Sequence, residues 1–273
     1  MSRMQRKKIA PVIVLIVLAI IFVLPLIWLA LTSLDLNGSS SVKWPTWTLQ
    51  NYRNVLTSQT NQRAFLNGLI ISLCESIIVV VASVLAAYPL SRYELVYKKM
   101  LMNTILFMTA LPMTAVMVPL YKFYQTLNLY NTTLGVILFM SATGLPYAVW
   151  MTKNFMDAVP INLEEAAKID GASTLTTLLK VILPLMAPGL LTVFIYTFSG
   201  SWGNFFVPYI LLQSTEKMPA SVQLYQFFGS NGTIVYGELA AYSVLYALPA
   251  LILYVISQRW MSQGFSLSGA DKG

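Results

Sequence analysis

The chain has 273 residues, of which 57% are hydrophobic and only 10% charged, so it lacks the roughly one-quarter charged residues with which soluble domains cover their surface. It contains no histidine and one cysteine, Cys74, which excludes an intrachain disulfide, a Cys/His zinc or other metal site and a histidine-based catalytic triad. The net charge of +7 is compatible with nucleic acid or a membrane surface, but the positions of the basic residues favour a membrane protein without a nucleic-acid partner.

The first predicted element follows a basic N-terminal segment, residues 3–8. An apolar run then extends from about residue 9 to residue 34. A cleaved signal peptide has an apolar core of about 7–15 residues and a small-residue cleavage site, and this run is longer and bulkier. We therefore expect an anchor that remains as the first membrane-spanning helix.

Five further stretches match the length of about 20 residues that crosses about 30 Å of hydrocarbon. The six predicted spans cover residues 9–34, 66–90, 101–120, 133–152, 184–212 and 236–258. Backbone groups must be paired inside a bilayer, so each span is expected to be a helix, with Pro112 and Pro249 marking kinks rather than breaks. The predicted fold is an all-α membrane protein with one transmembrane domain over 1–273, whose core helices occupy about 66–258.

The basic residues predict the orientation of these spans, because lysine and arginine are enriched in cytoplasmic loops. With a cytoplasmic N-terminus, twelve of the 17 basic residues fall in inner segments and five in outer segments. Both termini are therefore expected in the cytoplasm, with a C-terminal tail over 259–273. The one long inner loop then lies between the fourth and fifth spans.

That inner loop, residues 157–184, has the features of a short helix followed by a tight turn. Asn162 is placed to be the N-cap, and Glu165 three residues later would complete a capping box. Glu164 also lies at the positive end of the helix dipole. The helix is expected to run to about Asp170.

The turn and the second arm of this loop follow directly. Gly171 supplies the C-terminal turn, and Ser173 can cap a second short helix that leads to Pro184. A helix that rests on lipid should be rich in lysine and large apolar residues, whereas this elbow has acids at its tip and small residues on its surface. Docking into a protein partner is therefore favoured.

The same loop carries a family resemblance. Glu165-Ala166-Ala167, Asp170-Gly171-Ala172 and Val181-Ile182-Leu183-Pro184, with nine residues between Gly171 and Val181, resemble the EAA loop of ABC-importer permeases, with Val181 where isoleucine is usual. Supporting matches lie at 86–92, 204–208 and 259–273. Over essentially its whole length the chain resembles carbohydrate-type permeases, such as the smaller membrane subunit of maltose transporters.

The resemblance implies a mechanism in which the elbow sits in a cleft of a separate ATPase subunit. Closure of two ATPases on ATP would pull two elbows together and switch the bundle from inward-open to outward-open. The residues implied to contact the ATPase are Glu164, Glu165, Ala166, Ala167, Asp170, Gly171 and Ala172. The sequence contains no G-x-x-x-x-G-K-[ST] motif, so we expect no cofactor on this chain and expect ATP and Mg to be bound by the partner ATPase.

The resemblance also implies the remaining partners and the location. They are a second permease subunit, two copies of the ATPase, an extracellular or periplasmic sugar-binding protein and the lipid of a prokaryotic cell membrane. The loop before the last helix would approach the binding protein, although a plain solvated loop is the alternative. The contact residues there would be Phe228, Gly229, Ser230, Asn231 and Gly232.

Three residues inside predicted spans are candidates for the substrate pathway. Glu75 is costly within a membrane; it would accept hydrogen bonds from solute hydroxyls or, alternatively, make a helix–helix hydrogen bond or be protonated. Trp202 and Asn204 offer a stacking plane and an amide, a pairing suited to sugars. Gly203 and Asn204 depart from the family's common pattern, however, and ordinary small-residue helix packing is the alternative.

The predicted function is that of one of two membrane subunits in an ATP-driven importer of a carbohydrate, not that of an enzyme. The alternatives are the same machinery with glycerol phosphate or another polar solute, and a secondary transporter or channel. The sequence does not specify which sugar is transported.

Overall fold

A computed structural model describes residues 3–38, 41, 43–110, 112–228 and 234–269, with side chains described between residues 11 and 258. Within these ranges the chain forms thirteen α-helices and no β-strand, which confirms the predicted all-α fold. The longer helices are α1 (Arg3–Ser33), α3 (Gln59–Arg92), α6 (Thr133–Asp157), α10 (Ala187–Trp202) and α13 (Tyr236–Gly269). The shorter helices are α2 (Gln50–Thr57), α4 (Lys98–Met108), α5 (Met113–Thr126), α7 (Ile161–Ile169), α8 (Thr174–Thr177), α9 (Leu183–Leu185), α11 (Phe206–Leu211) and α12 (Ala220–Gln226).

Four of these helices are each long and apolar enough to cross a membrane. They are α1 from Pro11, α3, α6 and α13 as far as Gln258. Two bent pairs raise the number to as many as six if each pair counts as one span: α4 with α5, bent by 87°, and the segment Thr174–Leu185 with α10, bent by 79°. The protein is thus a multi-pass membrane protein.

Two predicted spans differ from the observed helices. The stretch 101–120 is broken rather than kinked, because Pro112 has an extended backbone (ψ 119°) and caps a new helix, α5, and proline provides no N–H to continue the preceding helix. The stretch 184–212 is not one helix. Its helix α10 ends at Trp202, and the next helix, α11, begins at Phe206.

Within the predicted tail over 259–273, α13 continues from the last predicted span to Gly269; the cytoplasmic location of the tail stays a prediction. Pro249, which was predicted to mark a kink rather than a break, lies inside this continuous helix. No other proline occurs between 250 and 273, so the backbone hydrogen bonds of α13 can continue past the apolar stretch.

The chain divides into two compact units, the first built from described residues within 1–62 and 223–248. Its connection between α1 and α2 is fixed by buried polar contacts: Asn51 Nδ2 donates to the backbone oxygens of Ser33 (3.0 Å) and Asp35 (2.9 Å). The Thr46 hydroxyl donates to Asp35 Oδ1 at 2.8 Å, and this hydrogen bond holds the pKa of Asp35 below its ordinary value. The prediction of one domain over 1–273 stays a prediction.

The second unit comprises described residues within 63–222 and 249–269, and its centre is a bundle of α3, α6 and α10. A Cβ at Gly144 of α6 would lie 3.2 Å from Glu75 Oε1 of α3. Eight residues later on each helix, the Ser83 and Thr152 hydroxyls are 2.9 Å apart. The residue numbers of the contacting pairs increase in the same direction along both helices, so α3 and α6 run parallel. The connection 93–132, which contains α4 and α5, must then return from one end of the bundle to the other.

Helix α10 runs antiparallel to α3 and packs closely against α6. The end of α10, Trp202, contacts Gly68 near the start of α3, whereas Val193 packs with Val79 further along α3. Small residues permit such close helix approach in membranes.

We predict that Gly189→Ala lowers the thermal midpoint of the purified protein. A Cβ at Gly189 would lie only 2.4 Å from Phe155 Cγ, so α6 and α10 must separate, and overpacking of this kind costs about 1–3 kcal/mol. Gly200→Ala on the same helix is the control, because no atom lies within 4 Å of its added Cβ. Equal midpoints for the two variants would contradict the packing described.

Candidate coupling elbow and membrane interior

The turn of the elbow has the geometry that its sequence predicts. Gly171 has a φ of +83°, a backbone conformation that residues with a Cβ rarely adopt. The Gly171 N–H donates to Lys168 O at 3.0 Å, and the Ala172 N–H donates to Ala167 O at 2.9 Å. These two bonds form a Schellman motif, which fixes the direction in which the chain leaves α7.

The second arm starts as predicted and then deviates from regular α-helix. Ser173 Oγ accepts a hydrogen bond from the Thr176 N–H at 3.3 Å and caps α8. A π-helical turn over Leu178–Ile182 follows, then α9. This arm meets α10 at an angle of 79°, so the elbow is connected directly to the end of a core helix.

The predicted capping box at the start of α7 is wrong. The helix begins at Ile161, with Pro160 as an N-cap that makes no side-chain hydrogen bond, and Asn162 lies inside the helix. The register is set by tertiary contacts instead: Arg92 at the end of α3 binds both the Val159 carbonyl oxygen, at 3.0 Å, and the Glu164 side chain.

Glu164 is therefore not the exposed acid that the sequence indicates. It forms an ion pair with Arg92, in which the side chains are only 3% and 6% exposed. The Tyr88 hydroxyl donates a second, longer hydrogen bond to Glu164, to Oε2 at 3.4 Å. The first turn of the elbow is thus held inside the subunit by the last turn of α3.

More contacts surround this ion pair. The Ser91 hydroxyl donates to Asp157 Oδ1 at 2.6 Å, and Asp157 also pairs with Lys153. Beneath them lies a buried apolar cluster contributed by α3, α6 and the second arm of the elbow, whose members are Val84, Ala87, Tyr88, Met156, Val159, Leu178, Ile182 and Met186. The elbow is consequently a rigid extension of the helices rather than a free loop.

The outer face of the elbow remains open to a partner. Glu165, Ala166, Asp170 and Gly171 are exposed, and the remaining predicted contact residues, Ala167 and Ala172, are half-buried. Ile169 beside them is 87% exposed, which is unusual for so large an apolar side chain at the end of an ordered helix. This surface presents two acids, small side chains and one large exposed apolar side chain, and the rest of the described chain does not cover it.

In the membrane interior, Glu75 is buried between α3, α6 and α10. Its Oε1 approaches Gly144, and Ser201 lies beside the carboxyl group. Neither Glu75 Oε2 nor Ser201 Oγ has a hydrogen bond of good geometry among the described residues. The structure places Glu75 within the subunit's own bundle, so a direct solute contact requires the bundle to open.

The two other pathway candidates have structural contacts. Trp202 is buried and stacks on Phe198, with ring centroids 6.1 Å apart and an interplanar angle of 7°, and on Phe65 at 6.4 Å. Asn204 Oδ1 accepts from the Val207 N–H at 3.0 Å and so caps the first turn of α11. In this conformation Trp202 packs against other rings, and the Asn204 amide oxygen stabilises a helix start.

The predicted loop that contacts a binding protein is only partly described. Phe228 is exposed. The other four candidates, Gly229, Ser230, Asn231 and Gly232, lie outside the described residues.

The helix bundle and its rigid elbow define a class, the membrane components of transport systems. The family of binding-protein-dependent transport system inner membrane components matches residues 78–263, which is more than half of the chain. The chain belongs to this family.

Curated relatives extend the match to nearly the full length. The chain is 31% identical to a sulfoquinovosyl glycerol transport system permease protein of Agrobacterium fabrum, over 90% of this chain and 87% of that protein. It is 32% identical to a trehalose transport system permease protein of Mycobacterium tuberculosis, over 92% of each chain. It is also 32% identical to a trehalose/maltose permease protein of Thermococcus litoralis, over 98% of each chain. The predicted resemblance to carbohydrate-type ABC permeases is confirmed.

Solved structures share the fold. A chain of a bacterial ABC transporter involved in the import of the acidic polysaccharide alginate superposes with a TM-score of 0.83 at 22% identity, over 95% of this chain and 98% of that one. A chain of the inward-facing methionine ABC transporter superposes with a TM-score of 0.58 at 17% identity, over 74% and 95%. The chain therefore has the ABC permease fold and is a transport component of an ABC importer.

Proposed function

We propose that this chain is one of two permease subunits of an ABC importer and forms half of the translocation pathway for a carbohydrate. Alternating access is driven by ATP hydrolysis in a separate ATPase subunit. The observation that carries the proposal is the elbow: its outer face is open to a partner, while the Arg92–Glu164 ion pair holds its base on α3. A stiff lever of this kind can transmit a rigid-body motion to the bundle.

The substrate class rests on the relatives. Their names specify transport of sulfoquinovosyl glycerol, trehalose and maltose, which all carry sugar rings. The methionine transporter has the same fold, so the fold alone does not determine which solute is transported.

The proposed topology has six spans with both termini in the cytoplasm. The parallel directions of α3 and α6 support it, because the bent pair α4–α5 must then provide a crossing between them. The excess of basic residues in the segments assigned to the inside supports the orientation. The whole chain then forms one transmembrane domain.

The proposed assembly contains a second permease subunit, two copies of the ATPase, which bind ATP and Mg, and an external binding protein. The membrane is the cell membrane of a prokaryote. The apolar window of α1 is unburied within this chain, so that helix is available to lipid or to the second permease.

The experiment is reconstitution of the complete transporter in lipid nanodiscs with its binding protein. We expect ATP hydrolysis to rise when the binding protein is loaded with the matching sugar, and to stay basal with the unloaded protein. Glycerol phosphate and methionine serve as solutes of other classes. Stimulation by one of these and by none of a panel of sugars would overturn the carbohydrate proposal.

A further inference from the structure

Four buried polar atoms in the bundle of α3, α6 and α10 have no hydrogen-bond partner among the described residues. They are Ser72 Oγ, Glu75 Oε2, Ser141 Oγ and Ser201 Oγ, and all four residues are more than nine-tenths buried. Each unmade hydrogen bond of a buried polar group costs about 1–3 kcal/mol. A cluster of four is therefore expected to have an occupant.

The positions of these residues along the helices place the four side chains in the same part of the bundle. Glu75 faces Gly144 of α6 and lies beside Ser201 of α10. Ser72 and Ser141 each lie three positions earlier on the two parallel helices, and positions three apart share a helix face. The carboxylate and the three hydroxyls are thus carried by three packed helices and lie within about one helical turn of one another along the bundle.

Among the described residues of α3, α6 and α10, no basic side chain lies near the Glu75 carboxylate. The nearest basic residues along α3 are Arg63 and Arg92, about 18 and 26 Å away by helical rise. Lys153 on α6 lies nine positions past Gly144, about 14 Å away. All three already pair with other acids, and α10 contains no lysine or arginine.

The available space favours a very small occupant. A Cβ at Gly68 would lie 2.9 Å from the Trp202 ring, and one at Gly144 would lie 3.2 Å from Glu75 Oε1. Trp202 is itself held by stacking on Phe198. Close packing of this kind leaves less room for a sugar ring than for a single ion.

We propose that the Glu75 carboxylate and the three serine hydroxyls bind one monovalent cation, represented here by Na⁺, between α3, α6 and α10. One carboxylate balances one positive charge. Ca²⁺ takes six to eight oxygen ligands and Mg²⁺ demands octahedral geometry, so four oxygens with a single negative charge suit a monovalent ion better. The bound cation ties α10, which the elbow meets directly, to the parallel pair α3–α6.

The test is thermal unfolding of the complete transporter in nanodiscs, in NaCl and in choline chloride at equal ionic strength. A ligand that binds the folded state raises the midpoint as its concentration increases, so we expect a saturable rise of a few degrees with Na⁺. Glu75→Gln should abolish that rise and Ser201→Ala should weaken it. Ser83→Ala, which removes a hydroxyl already paired with Thr152, should retain it.

Two results would overturn the cation site. One is the same midpoint for the parent transporter in both salts, as expected if the cluster holds only water or a protonated acid. The other is an undiminished Na⁺ response in Glu75→Gln. The measurement uses no transported solute, so its outcome is independent of the carbohydrate proposal.

Discussion

Replacement of Arg92 by methionine is expected to destabilise the protein by about 3–5 kcal/mol, the usual effect of removing one member of a buried ion pair. The loss arises because Glu164 stays buried as a charge without its partner. The Val159 carbonyl oxygen also loses the hydrogen bond that Arg92 donates. The measurement is the unfolding midpoint of the purified transporter in nanodiscs.

A matched control lies on the same helix. Arg63 pairs with Glu216 at 3.3 Å, but these side chains are 47% and 80% exposed, and exposed ion pairs contribute only about 0–1 kcal/mol. Arg63→Met makes the same chemical change and should leave the midpoint nearly unchanged. Similar losses for the two variants would contradict the burial argument.

The double variant Arg92→Met/Glu164→Leu separates the charge from the packing. Removing both charges should restore most of the stability lost in Arg92→Met, because no unpaired charge remains inside the protein. Transport should recover less, since the ion pair also fixes the position of the elbow on α3. A double variant as unstable as Arg92→Met would show that the contacts other than the charge dominate.

The parts of the elbow that sequence reasoning predicted correctly depend on local chemistry. Gly171 and Ser173 act through bonds to residues three to five positions away, so their roles can be inferred from adjacent letters. The N-cap at Asn162 and the exposed Glu164 were wrong because the start of α7 is held by Arg92, which lies 72 positions before Glu164 and binds both Glu164 and the Val159 carbonyl oxygen. The sequence did contain one indication of this contact, because Arg92 is an isolated arginine at the end of an apolar stretch.

The same distinction applies to the membrane helices. Hydrophobic length predicted α1, α3, α6 and α13, because each is one continuous helix that is long and apolar enough to cross a membrane. It did not predict the break at Pro112, where the apolar stretch continues although the helix does not. Apolar composition specifies which residues avoid water, but it does not specify the direction of the backbone through that environment.

The interior candidates show a further limit. The sequence left open whether Glu75 contacts solute or other helices, and burial within three helices of the same subunit favours an internal role. Trp202 was predicted as a stacking plane for sugars, and the structure shows it stacked on Phe198 and Phe65. A single chain cannot reveal by its pattern which apolar face packs inward and which lines a pathway.

Gly171→Val should nearly abolish transport while the protein still inserts and folds. The φ of +83° at Gly171 is unfavourable for L-residues by about 1–2 kcal/mol, and a β-branched side chain is the least tolerant of it. No atom lies within 4 Å of a Cβ at this position, so the substitution creates no clash. The strain is relieved by relaxing the turn, which changes the direction of the exposed face of the elbow.

The measurement is uptake by transporters in proteoliposomes, together with ATP hydrolysis stimulated by the loaded binding protein. Both should fall steeply in Gly171→Val, whereas Gly171→Asn should retain part of the activity, because asparagine adopts left-handed backbone more readily. Gly200→Ala, with equally open space around its Cβ but an ordinary helical backbone, should behave like the parent. Uptake in Gly171→Val at the parent level would show that the direction of this turn is irrelevant to transport.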